Sequence, residues 1–199
     1  MELLKACRQG DIQIVKFLLE NEVIDIEMKD DLENTPLITS SRNGQLEVAK
    51  LLLENGADIE AKNKYGWTPL MISSKYGHLE VTKLLIEKGA DIETKDDDGW
   101  TPLMRSSCNR NVEVTKLLLE NGAIIEAKDN YGRTPLMNSS HYGHLEVTKL
   151  LLENGADTEA KDNDGSTFIY YLGESKKKEI KEFVQDIQNR RRMIKPCRR

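Results

Sequence analysis

This chain of 199 residues lacks long apolar runs, a disulfide framework and a recognisable leader. No stretch approaches the roughly 20 consecutive apolar residues that a membrane-spanning helix requires. Cys7, Cys108 and Cys197 are odd in number and widely spaced, which is not the pattern of a disulfide-stapled secreted domain. The first residues show no basic start, apolar core and cleavage site, as a secretory signal would. We therefore expect a soluble intracellular protein, cytoplasmic or also nuclear.

Signatures of catalysis and of cofactor binding are missing as well. There is no glycine-rich phosphate loop and no nucleophile elbow. His141 and His144 are spaced like a metal-binding pair, but Gly143 interrupts the helix that would align them and no third ligand follows. Residues 96–99, Asp-Asp-Asp-Gly, resemble part of a calcium loop without its later ligands, and are predicted to form a turn. We expect a protein that is not an enzyme and takes no cofactor or metal.

Charge is distributed unevenly along the chain. Residues 176–199 hold ten Lys/Arg and three Asp/Glu, a balance of +7, so the net charge of −5 leaves −12 on residues 1–175. Such an acidic body repels nucleic acid. The basic tail, residues 190–199, is therefore interpreted either as a solvated end or as a localisation signal.

A strict 33-residue period organises the chain. Thr-Pro-Leu begins at Thr35, Thr68, Thr101 and Thr134, and a Gly-x-Leu-Glu-Val segment recurs in phase with it after Gly44, Gly77 and Gly143. A period of this size indicates stacked supersecondary units, none of which can bury its own apolar face alone. Such stacks present a long binding surface and seldom a closed catalytic cleft.

Residues 63–95 illustrate one unit. Thr68 is a good N-cap and the proline that follows it suits the first helical position, so a helix of about eight residues is predicted up to Gly77. A second helix with apolar residues on one face follows and ends at Gly89. Residues 90–100 are predicted to form an extended, hairpin-like loop with an Asp-Gly turn. Helices this short are marginal in isolation, so stacking must stabilise them.

Two recurring polar features are predicted to be structural. A Ser-Ser pair, such as Ser73-Ser74, returns in the first helix of each full repeat, where small side chains allow close helix approach and a hydroxyl can bond back to the preceding turn. His78 and His144 share one repeat position and are expected to hold the turn between the two helices.

These residues resemble the ankyrin repeat, with its Thr-Pro-Leu-His, Gly-His-x-Glu-Val-Val and Gly-Ala-Asp segments. The resemblance covers roughly residues 1–189. It implies an all-α solenoid of paired antiparallel helices joined by hairpin-like loops, in a single domain. The expected divisions are an N-terminal cap at 1–29, full repeats at 30–62, 63–95, 96–128 and 129–161, and a C-terminal cap at 162–189.

The chain departs from the family pattern at two sets of positions. The family's His after Thr-Pro-Leu is replaced by Ile38, Met71, Met104 and Met137. The Asn that often follows Gly-Ala-Asp-Val is replaced by Glu, at Glu60, Glu93, Glu126 and Glu159. The hydrogen bonds that the family's His makes to the adjacent loop are therefore not expected here.

The resemblance places a partner-binding surface on the concave side, at the loop tips and the exposed ends of the first helices. Mapped onto this chain, the expected partner-binding residues are Arg42, Tyr65, Trp67, Lys75, Tyr76, Asp98, Trp100, Arg105, Asn109, Tyr131, Arg133, Asn138, His141 and Tyr142. Tyr76, Trp100, Arg105 and Tyr142 are the expected anchors, because aromatic and Arg side chains dominate interface energetics. For Trp67 and Trp100, packing on the neighbouring loop is an equally good interpretation.

The predicted function is a non-catalytic, monomeric adaptor that binds another protein. Two alternatives stay open. One is a nuclear or nucleic-acid-associated protein acting through the basic tail, and the other is a regulatory subunit of a larger assembly.

Overall fold

The computed structural model describes the backbone of residues 2–21 and 24–194 and the side chains of residues 2–20 and 24–190. Within these ranges it contains twelve α-helices and no strand, so the prediction of an all-α repeat solenoid is confirmed. In chain order the helices are α1 Glu2–Gln9, α2 Ile12–Asn21, α3 Pro36–Arg42, α4 Leu46–Glu54, α5 Pro69–Tyr76, α6 Leu79–Glu87, α7 Pro102–Ser107, α8 Val112–Glu120, α9 Pro135–His141, α10 Leu145–Glu153, α11 Phe168–Tyr171 and α12 Glu174–Ile194.

The first helices of the four full repeats, α3, α5, α7 and α9, begin as the sequence predicts. The Oγ1 atom of Thr68 accepts a hydrogen bond from the Met71 backbone N–H at 3.3 Å, and the threonines that precede α3, α7 and α9 do the same. Gly77 ends α5 in the left-handed conformation with φ 76°. The first serine of each pair bonds back by one turn, as Ser73 Oγ does to Leu70 O at 3.1 Å.

Odd-numbered and even-numbered helices form two rows. α1, α3, α5, α7, α9 and α11 pack side by side, and the second helices α2, α4, α6, α8, α10 and α12 pack behind them. Val81, Leu85 and Leu70 are at most 1% exposed between the rows, and equivalent residues repeat along the stack. Burial of this continuous apolar layer stabilises helices too short to persist alone.

Recurrent hydrogen bonds connect each repeat to the next. The Glu that replaces the family's Asn accepts a backbone N–H from the following repeat: Glu60 Oε1 accepts from Asp91 N at 2.7 Å and Glu93 Oε1 from Ile124 N at 2.8 Å. Glu27 and Glu126 make the same contact. These hydrogen bonds fix the spacing of successive loops, a role that the Glu substitution alone did not predict.

The turns between paired helices are held from the following repeat. His78 Nε2 lies 2.9 Å from Arg42 O, and His144 Nε2 lies 3.0 Å from Cys108 O, which confirms the predicted structural role of both histidines. Asn111 takes the same position in its repeat and donates to Ser74 O at 2.8 Å. In the last repeat Lys176, one residue before the equivalent position, donates to Gly143 O at 2.8 Å.

The ends of the stack are covered by atypical helix pairs. Ile180 of α12 is fully buried, and Phe183, Val184 and Ile187 pack partly buried against the same cluster, as their spacing predicts. α12 continues past residue 189 to Ile194, so the first residues of the expected tail are helical. At the other end, Val15 and Leu18 of α2 are buried and Ile12 is 39% exposed.

Arg110 occupies the position of Gly44, Gly77 and Gly143 and retains the left-handed turn, with φ 62°. A non-glycine residue there is strained by about 1–2 kcal/mol, and the larger entropy of glycine in the unfolded chain offsets part of that strain. We therefore expect Arg110→Gly to raise the free energy of unfolding by up to about 1 kcal/mol in urea titrations. The reverse change, Gly77→Arg, should destabilise, because a Cβ there would lie 2.6 Å from Asn111 Oδ1. A destabilised Arg110→Gly variant would contradict the strain argument.

Candidate partner-binding surface

The loops that lead into the first helices end in tight turns closed by a carboxylate or amide. We call them finger loops; they are residues 24–35, 55–68, 88–101, 121–134 and 154–167. In the fourth repeat, Asp96 Oδ1 accepts the backbone N–H groups of Asp98 at 3.0 Å and Trp100 at 2.9 Å, and Gly99 takes φ 78°. The predicted Asp-Gly turn is thus confirmed, with Asp96 buried as its internal cap.

Cations and aromatic rings alternate across three repeats on the surface that the finger loops and first helices share. Lys75 Nζ lies 4.2 Å from the centroid of the Trp67 ring. The Arg105 guanidinium carbon lies 4.3 Å from the Trp67 centroid and 4.5 Å from the Trp100 centroid. We call this arrangement the cation–aromatic column, which also includes Arg133 at 5.7 Å from Trp100 and 4.7 Å from Tyr131.

Arg105 and Trp100 lie inside this column and not at its surface. They are only 8% and 7% exposed, so the expectation that Arg105 is exposed is wrong, and for Trp100 the packing alternative describes the structure. Arg105 forms an ion pair with Asp96, its Nε atom lying 3.0 Å from Asp96 Oδ2, and its guanidinium fills the space between the two indole rings. Both residues therefore support the surface from beneath.

Asn138 is also buried, at 1% exposed, contrary to the expectation that it faces a partner. Its position is equivalent to Arg105 and to Tyr171, whose side chains reach the carboxylate of their own finger loop. Tyr171 donates to Asp162 there, whereas in the Asn138 repeat Arg133 Nε reaches Asp129 Oδ2 at 2.9 Å. The residue at this position differs among repeats because its buried contacts differ. From sequence alone, such variation looks the same as variation at an exposed position.

The remaining expected residues reach the surface. Tyr65, Tyr76, Tyr131 and Tyr142 expose 42–59% of their area. Trp67, Lys75 and Arg133 are half-buried, and Trp67 both packs on Arg105 and keeps part of its ring in solvent. The other expected residues that are exposed are Arg42, Asp98, Asn109 and His141.

A second aromatic group lies toward the C-terminal end of the same surface. The His141 ring is 5.1 Å from Tyr142 and 5.6 Å from Tyr171, both edge-on, and Tyr170 lies 5.4 Å from Tyr171. Tyr170, at 72% exposed, was not predicted because its repeat lacks the Thr-Pro-Leu landmark. His144 is committed to its hydrogen bond with the Cys108 carbonyl, so its ring does not pair with that of His141.

Cys108 is a buried thiol at the edge of the surface. Burial raises its pKa to about 11, although the nearby positive charges of Arg105 and Lys75 act in the opposite direction. Arg110, two residues further along the chain, is exposed and does not contribute to this environment. The thiol therefore stays protonated at neutral pH and is a poor nucleophile.

A family model described as ankyrin repeats (3 copies) matches residues 3–96 and 90–162. This chain belongs to the ankyrin repeat family. Ankyrin repeats are generally protein–protein interaction modules and are typically non-enzymatic.

A curated relative covers a shorter part of the ankyrin stack. BTB/POZ domain-containing protein 3 of Schizosaccharomyces pombe is 46% identical over 57 residues, which is 29% of this chain and 11% of that protein. The similarity is thus to a short segment of a much longer protein. Among the helices described here, none combines the length and the apolar character needed to cross a bilayer.

Proposed function

We propose that this ankyrin protein is a non-catalytic adaptor that binds a partner protein on its finger face. The finger face is the surface formed by the finger loops 55–68, 88–101 and 121–134 together with the exposed ends of α3, α5, α7 and α9. We further propose that the protein acts as a monomer in a reducing compartment, which suits the buried free thiols of Cys7 and Cys108.

The observation that carries this proposal is the distribution of exposed aromatic side chains. Tyr65, Tyr76, Tyr131 and Tyr142 are all on the finger face, and each leaves at least 42% of its area in solvent. Aromatic residues combined with Arg are characteristic of the energetically important centre of protein interfaces. The second helices α4, α6, α8 and α10, in contrast, expose charged side chains such as Lys83 and Glu87.

The way the finger face is built also favours binding. The column fixes Trp67 between Lys75 and Arg105, and the Glu and His contacts between repeats hold the finger loops at a constant spacing. A surface that is ordered before binding loses little conformational entropy when a partner docks. Affinity can therefore arise from a modest number of contacts.

The alternative function, nucleic-acid association through the basic C-terminal segment, receives less support. Lys176 donates to Gly143 O, Lys177 pairs with Glu174 and Arg190 pairs with Asp186, so these described cations are engaged within the protein. The side chains of residues 191–199 lie outside the described part of the structure.

Capture from lysate with variants of each face tests the proposal. Wild type, a finger-face variant (Tyr76→Ala/Tyr142→Ala) and an opposite-face control (Glu54→Lys/Glu87→Lys) are immobilised, and bound proteins are quantified by mass spectrometry. We expect the same proteins on wild type and on the control, and at least about a tenfold loss from the finger-face variant. All four residues are exposed, so melting temperatures should stay close to wild type. Proteins retained by the finger-face variant and lost by the control would contradict the proposal.

A further inference from the structure

Two cations on the N-terminal half of the finger face have no carboxylate partner. The Arg42 guanidinium and the Lys75 ammonium group form no ion pair and donate no side-chain hydrogen bond among the described residues. Burial lowers the pKa of Lys75, and the positive charges of Arg105 and Arg42 lower it further. Arg42 and Lys75 thus form a site of uncompensated positive charge.

Several other cations of the finger loops and first helices have a hydrogen-bond acceptor within the protein. Arg105 pairs with Asp96 and Arg133 with Asp129. Along the outer edge of the finger loops, Lys62, Lys95 and Lys128 each donate to a main-chain carbonyl one repeat further on, at 2.7–3.2 Å. Arg42 and Lys75 lack such an acceptor and share one aromatic ring, that of Tyr76. Lys64 also lacks an acceptor, but it lies over a different ring, 5.1 Å from the Tyr65 centroid.

Aromatic rings contact both cations of the site. The Tyr76 centroid lies 5.4 Å from the Arg42 guanidinium carbon and 5.7 Å from Lys75 Nζ, so one exposed ring contacts both cations. Lys75 also lies over Trp67, which limits the rotamers that it can adopt. An anion between the two cations would meet donors that are already oriented, next to an apolar surface for the adjoining residues.

We propose that the site formed by Arg42, Lys75, Tyr76 and Trp67 binds an acidic peptide segment of the partner protein, with an Asp or Glu carboxylate between the two cations. The inference rests on the proposed function and specifies the partner's chemistry. Arg offers a planar fork that matches a carboxylate, and a second cation strengthens the pair where water is partly excluded.

A protein segment fits this surface better than a nucleic acid does. The cationic site is small, and the finger tips beside it carry the exposed acids Asp31, Asp97 and Asp98. Residues 1–175 carry a net charge of −12, and the basic C-terminal segment brings the net charge of the whole chain to −5. A long polyanion would be repelled by these groups, whereas a short acidic segment can place one or two carboxylates between them.

Selection from a random peptide library displayed on phage tests the inference with full-length protein. Wild type, the double variant Arg42→Gln/Lys75→Gln and the control Lys83→Gln are panned in parallel. Lys83 is an exposed cation of the same repeat on the opposite face, beside Glu80 and Glu113. We expect peptides enriched in Asp and Glu on wild type and on the control. For one selected peptide, calorimetry should show at least about a tenfold weaker Kd with the double variant, and a comparable loss when its acidic residues become Asn or Gln.

The outcomes separate this inference from the proposed function. Two results would overturn the inference and leave the finger face as the binding surface, provided that the selected peptides lose affinity with Tyr142→Ala. One is a set of peptides without enrichment in Asp and Glu. The other is unchanged affinity of the peptides for the double variant. Failure to select any peptide that depends on the finger face would count against both. Binding of a labelled single-stranded oligonucleotide that requires Arg42 and Lys75, without acidic peptide enrichment, would assign the site to nucleic acid and overturn the inference.

Discussion

Arg105→Ala should lower the free energy of unfolding by about 3–5 kcal/mol, the usual cost of removing one partner of a buried ion pair. The Asp96 side chain is completely buried, and without Arg105 its charge would keep only backbone N–H donors. The variant would also leave a gap between Trp67 and Trp100. Chemical denaturation with circular dichroism measures the change.

Two further variants make this prediction specific. Arg42→Ala removes an exposed arginine without an ion pair and should change stability by less than about 0.5 kcal/mol. The double variant Asp96→Asn/Arg105→Ile reproduces Asn63 and Ile72, which occupy these positions in the preceding repeat. It should recover much of the loss, because the unpaired charge is then absent. If Arg105→Ala were no more destabilising than Arg42→Ala, the ion pair would not support the finger face.

Ending the chain at Thr167 should cause aggregation or partial unfolding. Phe168, Leu172 and Ile180 are at most 3% exposed in a cluster with Leu151 and Leu152, and their removal would open that apolar face to solvent. Terminal repeats with one polar face keep repeat stacks soluble. Size-exclusion chromatography with light scattering and a thermal melt would show the effect.

A point variant tests the same cap without deleting residues. Ile180→Ala should cost about 2–5 kcal/mol, whereas Lys181→Ala, at the next and exposed position of α12, should be close to neutral. A truncated chain that remains monomeric and melts like wild type would show that α11 and α12 do not cap the stack.

The sequence predicts the helices well because their signals are local. Thr68, Gly77 and the apolar spacing of α6 each act within one turn, and the 33-residue period reinforces them by repetition. The same logic identified the face of α12 that contains Ile180. Glu60 shows where local reasoning ends, because its hydrogen bond reaches Asp91, 31 residues away in the next finger loop.

The candidate surface was only partly predictable for the same reason. The family resemblance marked Tyr76 and Tyr142 as exposed, and they are. It also marked Arg105 and Asn138, whose position varies because each repeat fills the space under its finger loop differently. The available signal for an internal ion pair was an Asp in the finger loop that leads into the same first helix, such as Asp96 for Arg105.

Hydrogen exchange of the protein with and without a captured partner tests the central claim most directly, because it maps the contacted face without any substitution. The account predicts that binding protects the tips of finger loops 55–68, 88–101 and 121–134 and the C-terminal ends of α3, α5 and α9. Amides of α4, α6, α8 and α10 should exchange as in the free protein. Protection confined to those second helices or to α12, with the finger loops unchanged, would contradict the assignment of the finger face as the partner-binding surface.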